Sequence, residues 1–185
     1  RRVTPADAVS PEALAAMSKD WRLEGYGKRG AKAAPRLLKS VYLAEGALAE
    51  RNRMLMAKHE AMKAECAWEC VDVDDAELVV VAFGSIARIA RSAIRQLRAE
   101  GHKIGLFRPI TLFPFPDAAL RAVAPGRRFL VMEQNTGQMV EDVRLALFAQ
   151  PGVSASTVLW HGIMPGLFIG ADALRDPMLQ ALKEK

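Results

Sequence analysis

A chain of 185 residues with 51% hydrophobic residues and a net charge of +5 has room for one ordinary domain and an appendage. No stretch reaches the roughly 18 consecutive apolar residues of a membrane span, and the first residues carry no apolar signal segment, so we expect a cytoplasmic protein with no membrane partner. Two cysteines, Cys66 and Cys70, are too few for a disulfide scaffold, an iron–sulfur cluster or a structural zinc site without further ligands.

The positive charge is concentrated in the first third of the chain. Residues 1–65 hold 13 basic and 8 acidic side chains, whereas residues 66–185 hold 13 of each. A basic extension of this kind can meet nucleic acid or an acidic protein surface. Because the extension lacks interleaved aromatic residues and nucleic-acid-binding motifs, we favour a protein partner and predict no nucleic acid.

The N-terminal third reads as a linker followed by a helical arm. Ser10 and Pro11 have the residue types of a helix cap and first turn, which predicts a short helix over Pro11–Lys19. Glycines and basic residues between Trp21 and Lys39 indicate an irregular connection. From Ala44 to Glu65 apolar pairs recur every seven residues and predict a helix with a narrow apolar stripe. We interpret this helix as an arm that lies along the main domain or a neighbouring subunit, and residues 1–65 together as a basic linker and helical arm.

The segment from Cys66 to Val73 alternates apolar and polar residues and predicts an edge strand before an acidic turn. Joined to the following strand by this short turn, it should pair with that strand and run antiparallel to it. Cys66 and Cys70 could form part of a metal site, or could be buried or edge-strand thiols, and the shortage of other ligands favours the thiols.

A regular α/β pattern begins at Glu77. The run from Glu77 to Phe83 is apolar and β-branched, as in a strand buried on both faces, and Gly84 opens a helix that continues to about Glu100. One face of this helix carries an arginine ridge, which is a solvated face, a subunit contact or, least expected, a phosphate site. The ridge consists of Arg88, Arg91, Arg95 and Arg98.

The same unit recurs along the rest of the chain. Strands are predicted at 103–107, 128–132 and 156–160, and helices at 116–123, 137–148 and 172–183. This alternation specifies a three-layer α/β/α domain over residues 66–185, with a five-stranded, mostly parallel sheet that includes one antiparallel strand.

The carboxyl ends of the predicted strands carry the candidate binding residues. Three prolines between Ile104 and Pro116 make the connection after one strand rigid, and open α/β sheets hold ligands at this edge. The candidates are Arg108, Glu133, Asn135, Gln138 and His161. The alternative reading makes them salt-bridge partners, turn residues or satisfied polar residues.

Motifs for autonomous chemistry are missing from the sequence. We find no GxxxxGK[ST], GxSxG or HExxH pattern. No catalytic, cofactor-binding or metal-binding residue is therefore predicted in this chain.

Three blocks carry a resemblance to a known family. They read AELVVVAFGSIARIARSAI, GLFRPITLFPFP and FLVMEQNTGQMVEDVRLAL. Together they resemble the transketolase-C-like domain at the C-terminus of the alpha subunit of thiamine-diphosphate-dependent 2-oxoacid:ferredoxin oxidoreductases. The upstream segment PRLLKSVYLAEGALAERNRMLMAKHEAM looks like that of the 2-oxoisovalerate, or branched-chain, members.

The resemblance implies a domain that is not catalytic alone. Thiamine diphosphate, magnesium and iron–sulfur clusters are expected in the whole complex, on other domains or subunits, and coenzyme A and ferredoxin are met through that complex. The chain looks like a fragment that follows a pyrimidine-binding domain, and the carboxyl edge of its sheet is expected to pack against a partner. The alternative is a stand-alone basic module that binds nucleic acid or another polyanion.

Overall fold

A computed structural model describes Ser10 and residues 40–148 and 157–184. The helix predicted at Pro11–Lys19 and the irregular segment predicted at Trp21–Lys39 lie outside these residues. The chain divides into two compact units, Arg1–Asn52 and Arg53–Lys185. A domain boundary after residue 65 stays a prediction.

The first described element is helix α1, Ala47–Met62, which continues as a 3-10 turn over Lys63–Glu65. The helix predicted from Ala44 to Glu65 is therefore confirmed. Among its sixteen residues, all of which are described, none is buried. The heptad spacing placed apolar residues on one stripe, but Leu48 and Met54 are both more than half exposed. Attachment of this arm to a neighbouring surface stays a prediction.

The predicted α/β elements are all present, and their bounds differ from the prediction by at most two residues. The strands are β1 (Trp68–Val71), β2 (Leu78–Val81), β3 (Ile104–Pro109), β4 (Arg128–Glu133) and β5 (Val158–Gly162). The helices are α2 (Gly84–Ala99), α3 (Asp117–Ala122), α4 (Gln138–Leu147) and α5 (Asp172–Lys183).

The five strands form one sheet in the order β1-β3-β2-β4-β5. Strands β2 to β5 are parallel, and β1 is antiparallel to β3. Helices α2 and α5 cover one face of the sheet, and α3 and α4 cover the other, with a separate apolar core under each pair. All four residues of β2 are fully buried, as the β-branched run predicted. The three-layer α/β/α fold is confirmed.

One prediction about the sheet was wrong. Strand β1 runs antiparallel as expected, but its hydrogen-bonded neighbour is β3 rather than β2, the next strand in the chain. The connection from β1 to β2 must therefore cross β3. Gly105 makes this crossing possible, because a Cβ atom there would lie 2.7 Å from the Asp72 carbonyl oxygen and 2.9 Å from the Val73 Cα.

Gly105→Ala should destabilise the domain, because the new methyl group meets backbone atoms that cannot rotate away. Overpacking of this kind costs about 1–3 kcal/mol in the free energy of unfolding. Urea denaturation followed by circular dichroism measures it. Gly170→Ala is the matched control, since no described heavy atom lies within 4 Å of a Cβ at that position. Equal stability of the two variants would contradict the close crossing at Gly105.

Candidate functional site

The five candidate residues lie at or just beyond the carboxyl ends of strands, but they fall into separate groups. Arg108 is on β3, which is separated from β4 by β2, so roughly 10 Å of sheet lies between it and the end of β4. Glu133 ends β4, and Asn135 and Gln138 follow it on the turn into α4. His161 is on β5, opposite Met132.

Arg108 belongs to an ion cluster on the α2 face of the sheet. It is the direct cross-strand neighbour of Glu69 on β1, and its guanidinium lies 3.2 Å from the Glu69 carboxylate. Arg91 from α2 pairs with the same carboxylate oxygen. The hydrogen bond from Arg91, followed by the bond from Arg108, holds the pKa of Glu69 below its ordinary value, against the opposing effect of burial. Among the described groups, the buried Arg108 Nε has no hydrogen-bond partner.

The arginine ridge of α2 is only partly a solvated face. Arg91 binds Glu69, and Arg98 donates two hydrogen bonds of 2.9 Å to the Asp75 carboxylate. Arg88 and Arg95 are exposed. Half of the ridge therefore ties α2 to β1 and to the loop that follows β1.

Glu133 is fully buried, and its carboxylate is bonded within the domain. Its two oxygens accept hydrogen bonds from the Met139 amide at 2.8 Å, the Val140 amide at 3.1 Å and the Trp160 indole at 3.0 Å. The two amides belong to the first turn of α4, where free N–H groups and the helix dipole favour a negative charge. Any effect of Glu133 on a partner would therefore pass through the loop that it holds.

The residues between Glu133 and α4 form a tight turn. Asn135 Oδ1 accepts hydrogen bonds from the Gly137 amide at 2.9 Å and the Gln138 amide at 3.4 Å. Gly137 has a φ of 106°, in the left-handed region that favours glycine. Gln138 is exposed, and its side-chain amide bonds the Thr136 hydroxyl at 3.3 Å. The turn thus presents polar side chains at the carboxyl edge.

His161 and Trp160 occupy the adjacent positions on β5. Burial lowers the pKa of His161 below its ordinary value, so the imidazole is neutral at physiological pH. Trp160 was not among the predicted site residues, although it binds Glu133 and remains 43% exposed. One signal in the sequence could have found it, namely an aromatic residue two positions before Gly162. In the structure the indole ring occupies the space that a side chain at Gly162 would take.

An exposed apolar segment follows β5. Met164 and Leu167 are more than half exposed and Phe168 is completely exposed. The Gln134 side chain donates a hydrogen bond of 2.9 Å to the Leu167 carbonyl. The apolar segment therefore lies beside the turn that carries Asn135.

An apolar groove of about 850 Å³ lies at the β1 end of the domain. Trp68, Phe113 and Leu145 contribute to its walls and are each exposed. Cys66 also lines it and donates its thiol hydrogen to the Pro114 carbonyl at 3.4 Å.

The other cysteine, Cys70, lies on β1. Burial raises the pKa of Cys70, which keeps the Cys70 thiol protonated at neutral pH.

The described residues hold no group of three or more His, Cys, Asp or Glu side chains that could bind a metal ion. Similarly, none of the described helices is both long and apolar enough to cross a membrane.

Glu69→Gln should make the stability of the domain less dependent on pH. Because the folded pKa of Glu69 is depressed, its ionised form stabilises the fold fully above the unfolded pKa of about 4.3, and this stabilisation is lost as pH falls through the lower folded pKa. At pH 7 we expect the variant to be less stable by up to about 1 kcal/mol, since the pair is about one-third exposed.

Urea denaturation between pH 7 and the acid limit of folding measures this difference. Glu77→Gln is the control, since its carboxylate is 65% exposed and 3.8 Å from Lys103 Nζ, and it should change stability less at neutral pH. A stability difference for Glu69→Gln that stays constant down to the acid limit would show that the ion cluster does not contribute.

Comparison with known proteins finds relatives for the C-terminal part of the chain. Residues 76–162 match the family described as pyruvate:ferredoxin oxidoreductase core domain II. The chain is 46% identical over 112 residues to the ketoisovalerate oxidoreductase subunit VorB of Methanothermobacter thermautotrophicus, a match that spans 60% of this chain and 32% of that protein. It is 37% identical over 92 residues to the 2-oxoglutarate synthase subunit KorA of Methanocaldococcus jannaschii, spanning 50% of this chain and 24% of that protein. The matched part is thus at most about a third of these relatives.

Two solved structures share the fold. A 2-oxoglutarate:ferredoxin oxidoreductase from Magnetococcus marinus superimposes with a TM-score of 0.60 at 20% identity, over 77% of this chain and 24% of that one. A split-gene transketolase superimposes with a TM-score of 0.53 at 18% identity, over 64% of this chain and 42% of that one. At such identities the likeness concerns the fold alone, and it agrees with the expected transketolase-C-like architecture. Over residues 76–162 the chain is therefore similar to core domain II of the pyruvate:ferredoxin oxidoreductases.

Proposed function

We propose that this chain supplies the transketolase-C-like domain of the alpha subunit of a 2-oxoisovalerate:ferredoxin oxidoreductase. The observation that carries the proposal is the 46% identity over 112 residues to a ketoisovalerate oxidoreductase subunit, against 37% over 92 residues to a 2-oxoglutarate synthase subunit. The enzyme would convert a branched-chain 2-oxoacid, coenzyme A and oxidised ferredoxin into acyl-CoA, carbon dioxide and reduced ferredoxin. We place it in the cytoplasm.

The chemistry of this reaction belongs to other parts of the complex. The described residues offer no set of side chains suited to Mg²⁺ or to an iron–sulfur cluster, and Cys66 is hydrogen-bonded to a backbone carbonyl. We assign thiamine diphosphate, Mg²⁺ and the clusters to neighbouring domains and subunits, as the family resemblance implies. The contribution of this domain is architectural, through the surfaces that it presents to them.

The carboxyl edge of the sheet is the surface that we assign to a partner subunit. Arg108, Asn135, Gln138 and His161 supply the polar groups, and the exposed segment with Met164 and Phe168 supplies apolar area beside them. Protein interfaces combine an apolar centre with a hydrogen-bonding rim in this way. Glu133 contributes through the turn that it holds.

The polyanion-binding alternative is not favoured. Within the arginine ridge, Arg91 and Arg98 are paired with carboxylates of the same domain, which lowers the positive charge that the ridge offers to a polyanion. The matched relatives are oxidoreductase subunits.

The isolated chain should be inactive. It is expected neither to retain thiamine diphosphate after dialysis nor to reduce a redox dye with 2-oxoisovalerate. When the same chain is co-expressed with the remaining parts of the enzyme, acyl-CoA formation should appear, faster with 2-oxoisovalerate than with 2-oxoglutarate or pyruvate. Turnover by the chain alone would refute the architectural role, and a preference for another 2-oxoacid would refute the substrate.

Gln138→Ala should weaken association with the partner subunits by about fivefold, because a net hydrogen bond contributes about 1 kcal/mol and Gln138 is exposed at the proposed interface. Surface plasmon resonance with the other subunits immobilised measures the dissociation constant. The melting temperature of the isolated chain should stay unchanged.

Gln180→Ala is the matched control at the opposite edge of the sheet. Gln180 is exposed near the end of α5, next to the carbonyls of Ala181 and Leu182 that bind Arg128 at the start of β4. Its loss should leave association unchanged. Equal effects of the two substitutions would remove the carboxyl edge from the interface.

A further inference from the structure

A single carboxylate closes the turn between β4 and α4. Glu133 precedes the turn residues Gln134–Gln138, and its side chain binds the amides of Met139 and Val140, which follow them. The turn is therefore held at both of its ends by one buried residue. The polar side chains of Asn135 and Gln138 therefore extend from a backbone that is held in place by hydrogen bonds.

The Trp160 indole braces this closure from β5. Its N–H donates to Glu133 Oε1 at 3.0 Å. Its ring fills the space of the missing side chain of Gly162, where a Cβ would overlap Trp160 Cζ2, and a Cβ on Gly137 would be 3.6 Å from the same atom. The indole thus lies close to the turn at Gly137 and is linked to it through Glu133.

The contact from Trp160 exceeds what the start of a helix requires. Asn135 accepts hydrogen bonds from the Gly137 and Gln138 amides and Glu133 accepts those of Met139 and Val140, so the amides at the start of α4 are satisfied without the indole. A fully buried carboxylate is costly unless several donors compensate it, and here the third donor is a tryptophan that is 43% exposed. Burial of apolar surface does not explain why this tryptophan is kept at the edge of the sheet.

We propose that Trp160 is a positioning residue that fixes, through Glu133 and Gly137, the turn in which Asn135 and Gln138 meet the partner subunit. The inference rests on the proposed function, in which this edge is an interface. Side chains that bind best are those held in place by a supporting shell, because less conformational freedom is then lost on association.

Trp160→Phe tests the proposal with the smallest change. The variant keeps an aromatic ring against the glycines but removes the donor to Glu133. In the isolated chain, hydrogen–deuterium exchange of the Gly137, Gln138, Met139 and Val140 amides should speed up by about tenfold, as expected for the loss of a hydrogen bond to a charged group. The amides of the buried strand β2 should keep their wild-type exchange rates. Unchanged exchange in the turn would overturn the proposal.

A double-mutant cycle tests the link to association. Dissociation constants from the remaining subunits of the oxidoreductase are measured for wild type, Trp160→Phe, Asn135→Ala and the double variant. If Trp160 acts through the turn, each single variant weakens association, and Trp160→Phe does so by about tenfold. The double variant then weakens association by less than the product of the factors measured for the two single variants. If the double variant instead weakens association by the full product of the two factors, Trp160 acts separately from the turn and the proposal is overturned.

Gly162→Ala is a second variant, and it keeps the indole N–H. Its new methyl group must displace the indole ring from its present position. It should reproduce the faster exchange in the turn, whereas Gly170→Ala, which has free space around it, should not. If Asn135→Ala leaves association unchanged, the proposed interface fails and this inference with it. If Asn135→Ala weakens association and neither Trp160→Phe nor Gly162→Ala does, the inference alone fails.

Discussion

Burial of the central strands on both faces is the constraint on which the rest of the domain depends. Strand β2 has no exposed residue, so each of its faces must meet a helical layer. Parallel neighbours on both sides require crossover connections, and these carry α2, α3 and α4 from one end of the sheet to the other. The same connections bring the carboxyl ends of β2 to β5 to one edge. The candidate interface therefore follows from the topology of the core.

The first strand is held differently from the other four. Because β1 lies beyond β3 and runs the other way, it is outside the crossovers that generate the helices. On one face it is held by the pairing of Glu69 with Arg91 and Arg108. On the other face Trp68 remains 48% exposed, and the proline-rich segment between β3 and α3 leaves the apolar groove beside it.

Elements set by local pattern could be predicted from the sequence, and those set by contacts between distant residues could not. The β-branched run before Gly84 and the apolar face of α2 each specify an element through their own residues. The neighbour of β1 could not be predicted in this way. The alternating pattern of β1 suits any edge of the sheet, and its pairing with β3 depends on the space left at Gly105.

The same distinction applies to the candidate site. Glu133 and Asn135 were expected at the carboxyl edge because they follow a strand, and they lie there. The burial of Glu133 could not be foreseen, since it depends on a turn that folds back at Gly137 and on an indole from another strand. Arg91 was placed on a largely solvated ridge because helical spacing does not reveal a carboxylate on β1.

The two parts of the carboxyl edge are held by the same kind of interaction with opposite charges. On β3 a carboxylate from β1 fixes the Arg108 guanidinium, and at the end of β4 three N–H donors fix the Glu133 carboxylate. In each case a charged side chain is oriented by groups of its own domain before any partner is present. Since ordering a side chain or loop at an interface costs free energy, an edge already ordered in this way leaves more of the contact energy available for association. An architectural domain can therefore contribute to assembly through rigidity as well as through the area that it presents.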